Sequence, residues 1–510
     1  MRFTSPRTVL AGLLLASSGA SASRHGKGKH DDQKDACAIL AKSLPGDMIS
    51  LANTQSYNVS NTYWSQRQSE IHPACFVYPS TAADVSTIVK TLTLIDAPFT
   101  VKSGGHTAFA GSNLWSGVTI DLARLNTLAL YPNHTRVYVG AGNRWINVTR
   151  FLEPMGLAVV GGRVSDVGVS GLVLGGGISY FSGIHGWACD NVHSYEVVLA
   201  SGDIVHASST RNSDLYWALR GGGGSNLGIV TRFELATVPL AGPIWANTIL
   251  LPGAVNTTLL PLFQNLTVNG LPSDPGAHTY LTLINLPSLG GYVYYTDQVH
   301  VSPTTQNATT VPAVFQGIDK IPSLSRTPRM TNLTTLMDGI EQPYGDRQTW
   351  WNTAVKATDA QLLVDILPLH EAHVSRIAAG AGGTTFVPYL TLQPIPVNVL
   401  AAMQKRGGNA LGLNVTDGPL IIVQSATSWQ SREIDSAVVA SSKQFIDDVN
   451  ALAKSRGLDH GFVYMNYAER SQDVFGSYGA ENLKRLRDAA KKWDPKGQLQ
   501  ELWKGYFKFS

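Results

Sequence analysis

The sequence predicts an α+β protein built in two parts, and three observations carry that prediction. At 510 residues the chain exceeds what a single hydrophobic core organises. Up to about residue 240 it mixes short apolar runs with three glycine-dense loops, near 104, at 161–177 and at 221–228. From about 241 to 455 the apolar runs lengthen and helical stretches intervene, the pattern of an antiparallel sheet with helices on one face. Only 15% of residues are charged and 49 are glycine, which favours a loop-rich, buried-sheet protein over a helical bundle.

The elements follow in order. Residues 77–80 read as a strand entering a helix at 81–92, with Ser80 or Thr81 as its cap and Asp84 in its first turn. A short strand at 99–101 delivers the chain to Gly104 and Gly105, and 118–122 and 136–140 are further strands. Residues 145–155 form a helix that Gly156 ends. Nine glycines between Val159 and Val198 exclude a regular element there and demand tight turns. Residues 192–199 and 204–207 make a hairpin around Ser201-Gly-Asp203. In the second part 279–284, 291–295 and 420–425 are strands, and 397–405 and 433–456 are helices. The amphipathic stretch from Glu481, stopped by Pro495, is a packed terminal helix.

The first residues fit a secretory signal. Arg2 and Arg7 precede an apolar run at 9–16, and Ala20-Ser-Ala22 suits cleavage after Ala22. The run is too short to span a bilayer, so no stable membrane association is expected. Removing the segment lowers the formal net charge from +3 to +1. The basic tract at 24–32 reads as a solvated tail, too quickly followed by acid to bind nucleic acid. Of three cysteines, Cys37 and Cys75 are expected to pair and Cys189 to stay free and buried. Eight Asn-x-Ser/Thr sites, at Asn58, Asn133, Asn147, Asn256, Asn265, Asn307, Asn332 and Asn414, point to N-linked glycans.

Several chemistries are missing. There is no Rossmann fingerprint after a first strand, and Gly168-Val-Ser-Gly171 is not a hydrolase elbow. No metal site is expected, because His185 and His193 have no third ligand at local spacing. The segment Val101-Lys-Ser-Gly-Gly-His106 carries more information. Two glycines expose backbone N–H groups in a nest that cradles an anion, and a histidine follows at once. Taken alone it is equally an ordinary turn; three such loops together suit a large cofactor with a pyrophosphate.

These segments resemble the FAD-linked oxidases of the vanillyl-alcohol-oxidase type, with a PCMH-type FAD-binding domain, in the berberine-bridge-enzyme-like branch of fungi and plants. The matching stretches are Val101–His106, Gly161-Gly-Arg-Val-Ser-Asp-Val-Gly-Val-Ser-Gly-Leu-Val-Leu-Gly-Gly-Gly177, Asp214-Leu-Tyr-Trp-Ala-Leu-Arg-Gly-Gly-Gly-Gly224 and Tyr464-Met-Asn-Tyr467. They stand in the family's order over nearly the whole mature chain. The resemblance implies a signal peptide at 1–22, an N-terminal segment at 23–68, an FAD-binding domain at 69–240, a substrate domain at 241–455, and a C-terminal segment at 456–510 that completes the FAD domain.

It also implies roles. His106 is the histidine linked to the flavin 8α-methyl carbon. Lys102, Ser103, Gly104, Gly105 and Thr107 wrap the pyrophosphate and ring edge, and Ser112, Val167, Gly168, Ser170, Gly171, Gly176 and Ile229 add contacts. Asn466, Tyr464 and Tyr467 lie near the isoalloxazine. Many relatives make a second link from a cysteine where this chain has Val164, so a single link through His106 is expected. Gln424 stands where some members carry a catalytic glutamate; an amide is a poor base. The base is then Tyr464 or Tyr467, and Gln424 orients substrate. Trp350, Trp351, Tyr389 and Trp429 are candidates to line a ring-binding groove.

The expected function is that of a secreted, monomeric, FAD-dependent oxidase. It takes a hydride from an alcohol, a sugar or a specialised metabolite and passes the electrons to O₂. A flavin-bearing oxidative cyclase or Diels–Alder-type catalyst is the first alternative, and a secreted carbohydrate-binding protein without chemistry is the second.

Overall fold

The structure is a computed structural model describing residues 29–240, 242–286, 291–304, 307–340 and 343–509. The signal segment at 1–22 lies outside the described residues. A helix, Lys29–Ser43, already begins inside the tract read as a solvated tail, and the disulfide Cys37–Cys75 ties it to the first sheet.

Three sheets build the fold among the described residues. In the first, Cys75–Val77, Val118–Asp121 and Phe99–Lys102 run parallel, with Ile49–Leu51 antiparallel at the edge. The three parallel strands are buried along their whole length, including the polar side chains of Thr100, Lys102, Thr119 and Asp121. The helix Ala82–Leu94 follows the capping expectation: Thr81 Oγ1 accepts from the Asp84 N–H at 3.1 Å, and the Asp84 carboxylate accepts from the Thr81 N–H at 2.9 Å. The helix Trp145–Leu152 tightens into a single turn, Glu153–Met155, and stops at Gly156, which adopts φ +67°.

The second sheet is antiparallel in the order Leu128–Leu130, Arg136–Gly140, Ile229–Pro239, Val192–Val198, Ile204–Ser208, with Leu157–Val159 added to Ile229–Pro239. The third is the largest and also antiparallel. Its order is Ser325–Thr331, Ile244–Pro252, Gly291–His300, Leu281–Leu286, Phe386–Ile395, Leu420–Trp429, Arg347–Lys356, with Ala277–Thr279 on Gly291–His300. The strand expected at 279–284 is interrupted at Tyr280. There the Thr296 hydroxyl donates to the Tyr280 carbonyl at 2.6 Å and the Thr279 hydroxyl to the Asp297 carbonyl at 3.0 Å, replacing ladder bonds.

Alternation along the strands decides which side chains meet which layer. One face of the third sheet packs Trp351, Val355, Ile421 and Val423 against the helices Asn256–Asn265, Ala360–Gly380 and Asp435–Ser455. The opposite face carries Trp350, Tyr389, Gln424 and Ala426 towards a cavity. Trp351 and Trp429 therefore do not line the groove expected of them: Trp351 is in the helix-side core, and the Trp429 indole N–H donates to Asp435 at 2.8 Å. The first core draws mainly on residues 36–238 and takes in Phe462, Trp503, Phe507 and Phe509 from the far end of the chain. That return is anchored where Trp503 bridges Phe99 and the Lys504 N–H donates to the Phe99 carbonyl at 2.8 Å.

Candidate active site

Between the two cores lies a cavity of about 610 Å³. Its first half is built by backbone. Gly104 and Gly168 approach so closely that a Cβ on either would collide with the other's backbone nitrogen. The two loops share an anchor: the Ser103 hydroxyl donates to the Ala141 carbonyl at 2.8 Å and the Ser170 hydroxyl to the same oxygen at 2.6 Å. Gly105 turns the chain with φ +67°. The third loop is closed by the chain's end, where the Phe507 carbonyl accepts from Ser225 Oγ at 3.0 Å and Asn226 Nδ2 at 3.1 Å. Lys508 Nζ donates to the Ser225 carbonyl at 2.7 Å.

All the residues expected to bind the cofactor line this cavity except Lys102, Ser112 and Gly176. The Lys102 ammonium instead donates to the Ser60 carbonyl at 2.5 Å, lies 3.5 Å from Asp121 and sits over the Tyr63 ring. The Ser112 hydroxyl donates to Gln68 at 2.8 Å. Gly176 backs onto Trp187 and Tyr464, and its carbonyl accepts from the Cys189 N–H at 2.8 Å. These three support the wall from behind.

The His106 ring stacks on Trp64, with centroids 4.3 Å apart and planes 10° from parallel. Its Nε2 lies 3.6 Å from the Asp166 carboxylate, and burial pulls its pKa down to about 4, so the ring is neutral. Val164 lines the cavity beside it, whereas Cys189 is buried elsewhere against Asp190, where burial pushes its thiol pKa up.

The second half is built by side chains. Tyr464 is fully enclosed, and its phenol oxygen accepts from the N–H groups of Gly177 and Ile178 at 3.1 and 3.3 Å and from Asn466 Nδ2 at 3.0 Å. Burial pushes its pKa up, so it stays a phenol. Tyr467 differs: its oxygen accepts from Arg163 Nη2 at 2.7 Å. Arg163 Nη1 is held by Gln393 Oε1 at 2.8 Å and His278 Nε2 at 2.9 Å. Burial, then the adjacent Arg163, keep His278 well below its usual pKa and hence an acceptor. Gln424 faces the cavity with its amide unpartnered among the described residues. Further along, Tyr280 and Tyr295 both donate to Asp297.

Sequence reasoning had not singled out Trp64, Arg163, Asp166 or the closing Phe507. Arg163 and Asp166 sit inside the quoted glycine-rich motif, and the signal was there to find: two charged residues in an otherwise uncharged stretch.

The residues present fit FAD. Paired glycine loops offer backbone N–H groups to a pyrophosphate, and a side chain at Gly171 would project into open space. A neutral imidazole whose Nε2 has no hydrogen-bond partner among the described residues stands at the junction with the aromatic half. Among the described residues no three His, Cys, Asp or Glu side chains converge as metal ligands, and no helix is long and apolar enough to cross a membrane. Fold and cavity together define an FAD-linked oxidoreductase.

Comparison with known proteins agrees. Residues 73–208 match the FAD binding domain family. The FAD-dependent monooxygenase tpcD of Cochliobolus heterostrophus is 38% identical over 499 residues, covering 93% of this chain and 94% of that protein. The bifunctional solanapyrone synthase of Alternaria solani is 30% identical over 475 residues, covering 93% of this chain and 88% of that protein. Among solved structures, 6-hydroxy-D-nicotine oxidase of Arthrobacter nicotinovorans superposes with a TM-score of 0.74 at 18% identity, covering 90% of this chain and 97% of that one. The chain belongs to this family of FAD-dependent oxidoreductases, with the PCMH-type flavin fold of berberine-bridge-like enzymes, and is an FAD-linked oxidoreductase.

Proposed function

We propose that the protein is a secreted oxidase that carries FAD on His106 and dehydrogenates a neutral, ring-containing alcohol or specialised metabolite. Bound FAD supplies the hydride acceptor and delivers the electrons to O₂ as hydrogen peroxide. The protein's residues do the rest. Tyr467 takes the substrate hydroxyl proton, with the Arg163 guanidinium, 2.7 Å away, offsetting the charge on its oxygen. Tyr464 is unsuited, since three donors already occupy its oxygen. Gln424 offers an open donor and acceptor to orient the substrate oxygen, and Trp350 and Tyr389 flank a flat ring. The Arg163–Tyr467 contact, facing a backbone-built cofactor half, is the observation that carries this reading.

Two measurements test it. After acid denaturation, a flavin mass on the peptide containing His106 is expected; complete release of FAD refutes the covalent link. Oxygen uptake over a panel of sugars, benzylic alcohols and polyketide-like phenols should single out one class with stoichiometric peroxide. The solanapyrone synthase relative favours a second reading, oxidative cyclisation, which predicts a cyclised product from the same hydride step.

A further inference from the structure

We infer that Asp166 is the positioning residue for cofactor attachment: it fixes the His106 tautomer and receives the imidazole proton as the His106–flavin bond forms. The inference rests on the covalent link proposed above.

Asp166 is an unusual carboxylate in this molecule. Its side chain is 10% exposed, and neither oxygen makes a hydrogen bond of good geometry among the described residues, the Tyr344 phenol being its one polar neighbour besides His106 and Arg144. The Arg144 guanidinium close by donates to the Asp166 backbone carbonyl, not to the carboxylate, so the side chain is not spent on holding the loop. Tyr344, kept a phenol by burial, flanks the same group. A buried carboxylate without a well-formed hydrogen bond is costly, and such sites persist where a partner appears during function. The partner in reach is His106 Nε2, 3.6 Å away, itself buried and unbonded. The separation is too long for a hydrogen bond, as is common for reacting pairs before their ligand binds. Trp64, stacked flat on the imidazole and itself 1% exposed, stops the ring from turning its other edge to Asp166.

The chemistry follows from which nitrogen faces the carboxylate. A carboxylate beside Nε2 favours the tautomer with the proton there, leaving the lone pair on Nδ1. In the attachment Nδ1 forms a bond to the 8α-carbon, which loses one C–H hydrogen. The resulting imidazolium carries its charge against Asp166 and gives up the Nε2 proton to it. The two electrons and two protons removed, one from the methyl group and one from the imidazole, are taken by dioxygen to give hydrogen peroxide. The imidazole proton counted in the peroxide leaves through Asp166, which is thereby regenerated.

The test follows attachment, not turnover. Flavin-depleted protein is mixed with FAD, and the chain carrying flavin mass after acid denaturation is counted over time, beside non-covalent FAD occupancy by gel filtration. Asp166→Asn is expected to reach full occupancy while attachment slows about 100-fold. Asp166→Glu, which keeps the charge but moves it by one methylene, should recover part of that rate. Attachment by Asp166→Asn at the wild-type rate overturns the inference. If Asp166→Asn fails to hold FAD, Asp166→Glu decides: slowed attachment at full occupancy supports the role, and an unchanged rate removes it. Wild type that releases all its FAD refutes the covalent link itself, a result distinct from any difference between variants.

Discussion

The two halves of the cavity are made of different materials. The half proposed to hold the flavin is backbone: Gly104 against Gly168, both loops hung on the Ala141 carbonyl, and the 221–228 loop clamped by Phe507 and Lys508. The half proposed for substrate is side chains: Trp350, Tyr389 and Gln424 on one face of a sheet, and Tyr467 with its arginine beside them. A backbone site tolerates no added atom but is indifferent to most chemistry. A side-chain site accepts substitution and changes what it does.

The sharpest way to break this contrast is Gly104→Ala. The new Cβ would meet the Gly168 backbone, which cannot swing aside as a side chain can, so FAD retention should be lost. A flavin-to-protein ratio near wild type after gel filtration would show the loops to be softer than described. On the substrate side Tyr467→Phe should keep the flavin and lower kcat by roughly 10²–10⁴-fold. A kcat within a few-fold of wild type would move the base elsewhere.

One strand offers a test within the substrate half. Trp351→Ala empties the helix-side core and should cost about 3–5 kcal/mol in urea unfolding while leaving substrate preference alone. Trp350→Ala should do the reverse, raising KM with a smaller loss of stability. Equal effects on both would mean that the two faces are not separated as their register implies.

The smallest effect concerns acid. His370 and His373 are buried between the helices Ala360–Gly380 and Asp435–Ser455, where burial holds their pKa values at about 3 and about 4. Their folded values lie below the ordinary 6.5, so the unfolded chain takes up protons first. The stability they contribute is whole above pH 6.5 and drains as pH falls towards their folded values. His370→Leu should flatten that slope in thermal melts. A slope it leaves unchanged would place the acid weakness on the flavin side, where burial holds His106 at about 4.

The same contrast governs what could be read beforehand. Backbone-built parts leave their mark in residue type: the Thr81–Asp84 cap, the stop at Gly156 and the hairpin after Val192 were legible, whereas the glycine-dense stretch expected to hold no regular element contains the short helices Val169–Leu174 and Ser182–His185. Trp64 and His106 are distant in sequence, and nothing local marks a tryptophan that will stack on an imidazole. Trp350 and Trp351 are identical in type and adjacent, and only pairing register tells which faces the cavity. The family resemblance implies that Lys102 contacts the pyrophosphate, but strand alternation turns its ammonium to the Ser60 carbonyl behind the wall.

The clamp on the third glycine loop has a consequence for biogenesis. Ser225 and the Phe507 carbonyl that secures it are separated by 282 residues, and the entire substrate-side sheet is translated in between. A contact of that span forms late, after closure of a very long loop. The compartment proposed for the flavin is therefore complete only once the intervening sheet has been synthesised, and cofactor loading is expected to follow that synthesis. A ribosome-stalled chain ending before Trp503 should fold its second core and remain colourless.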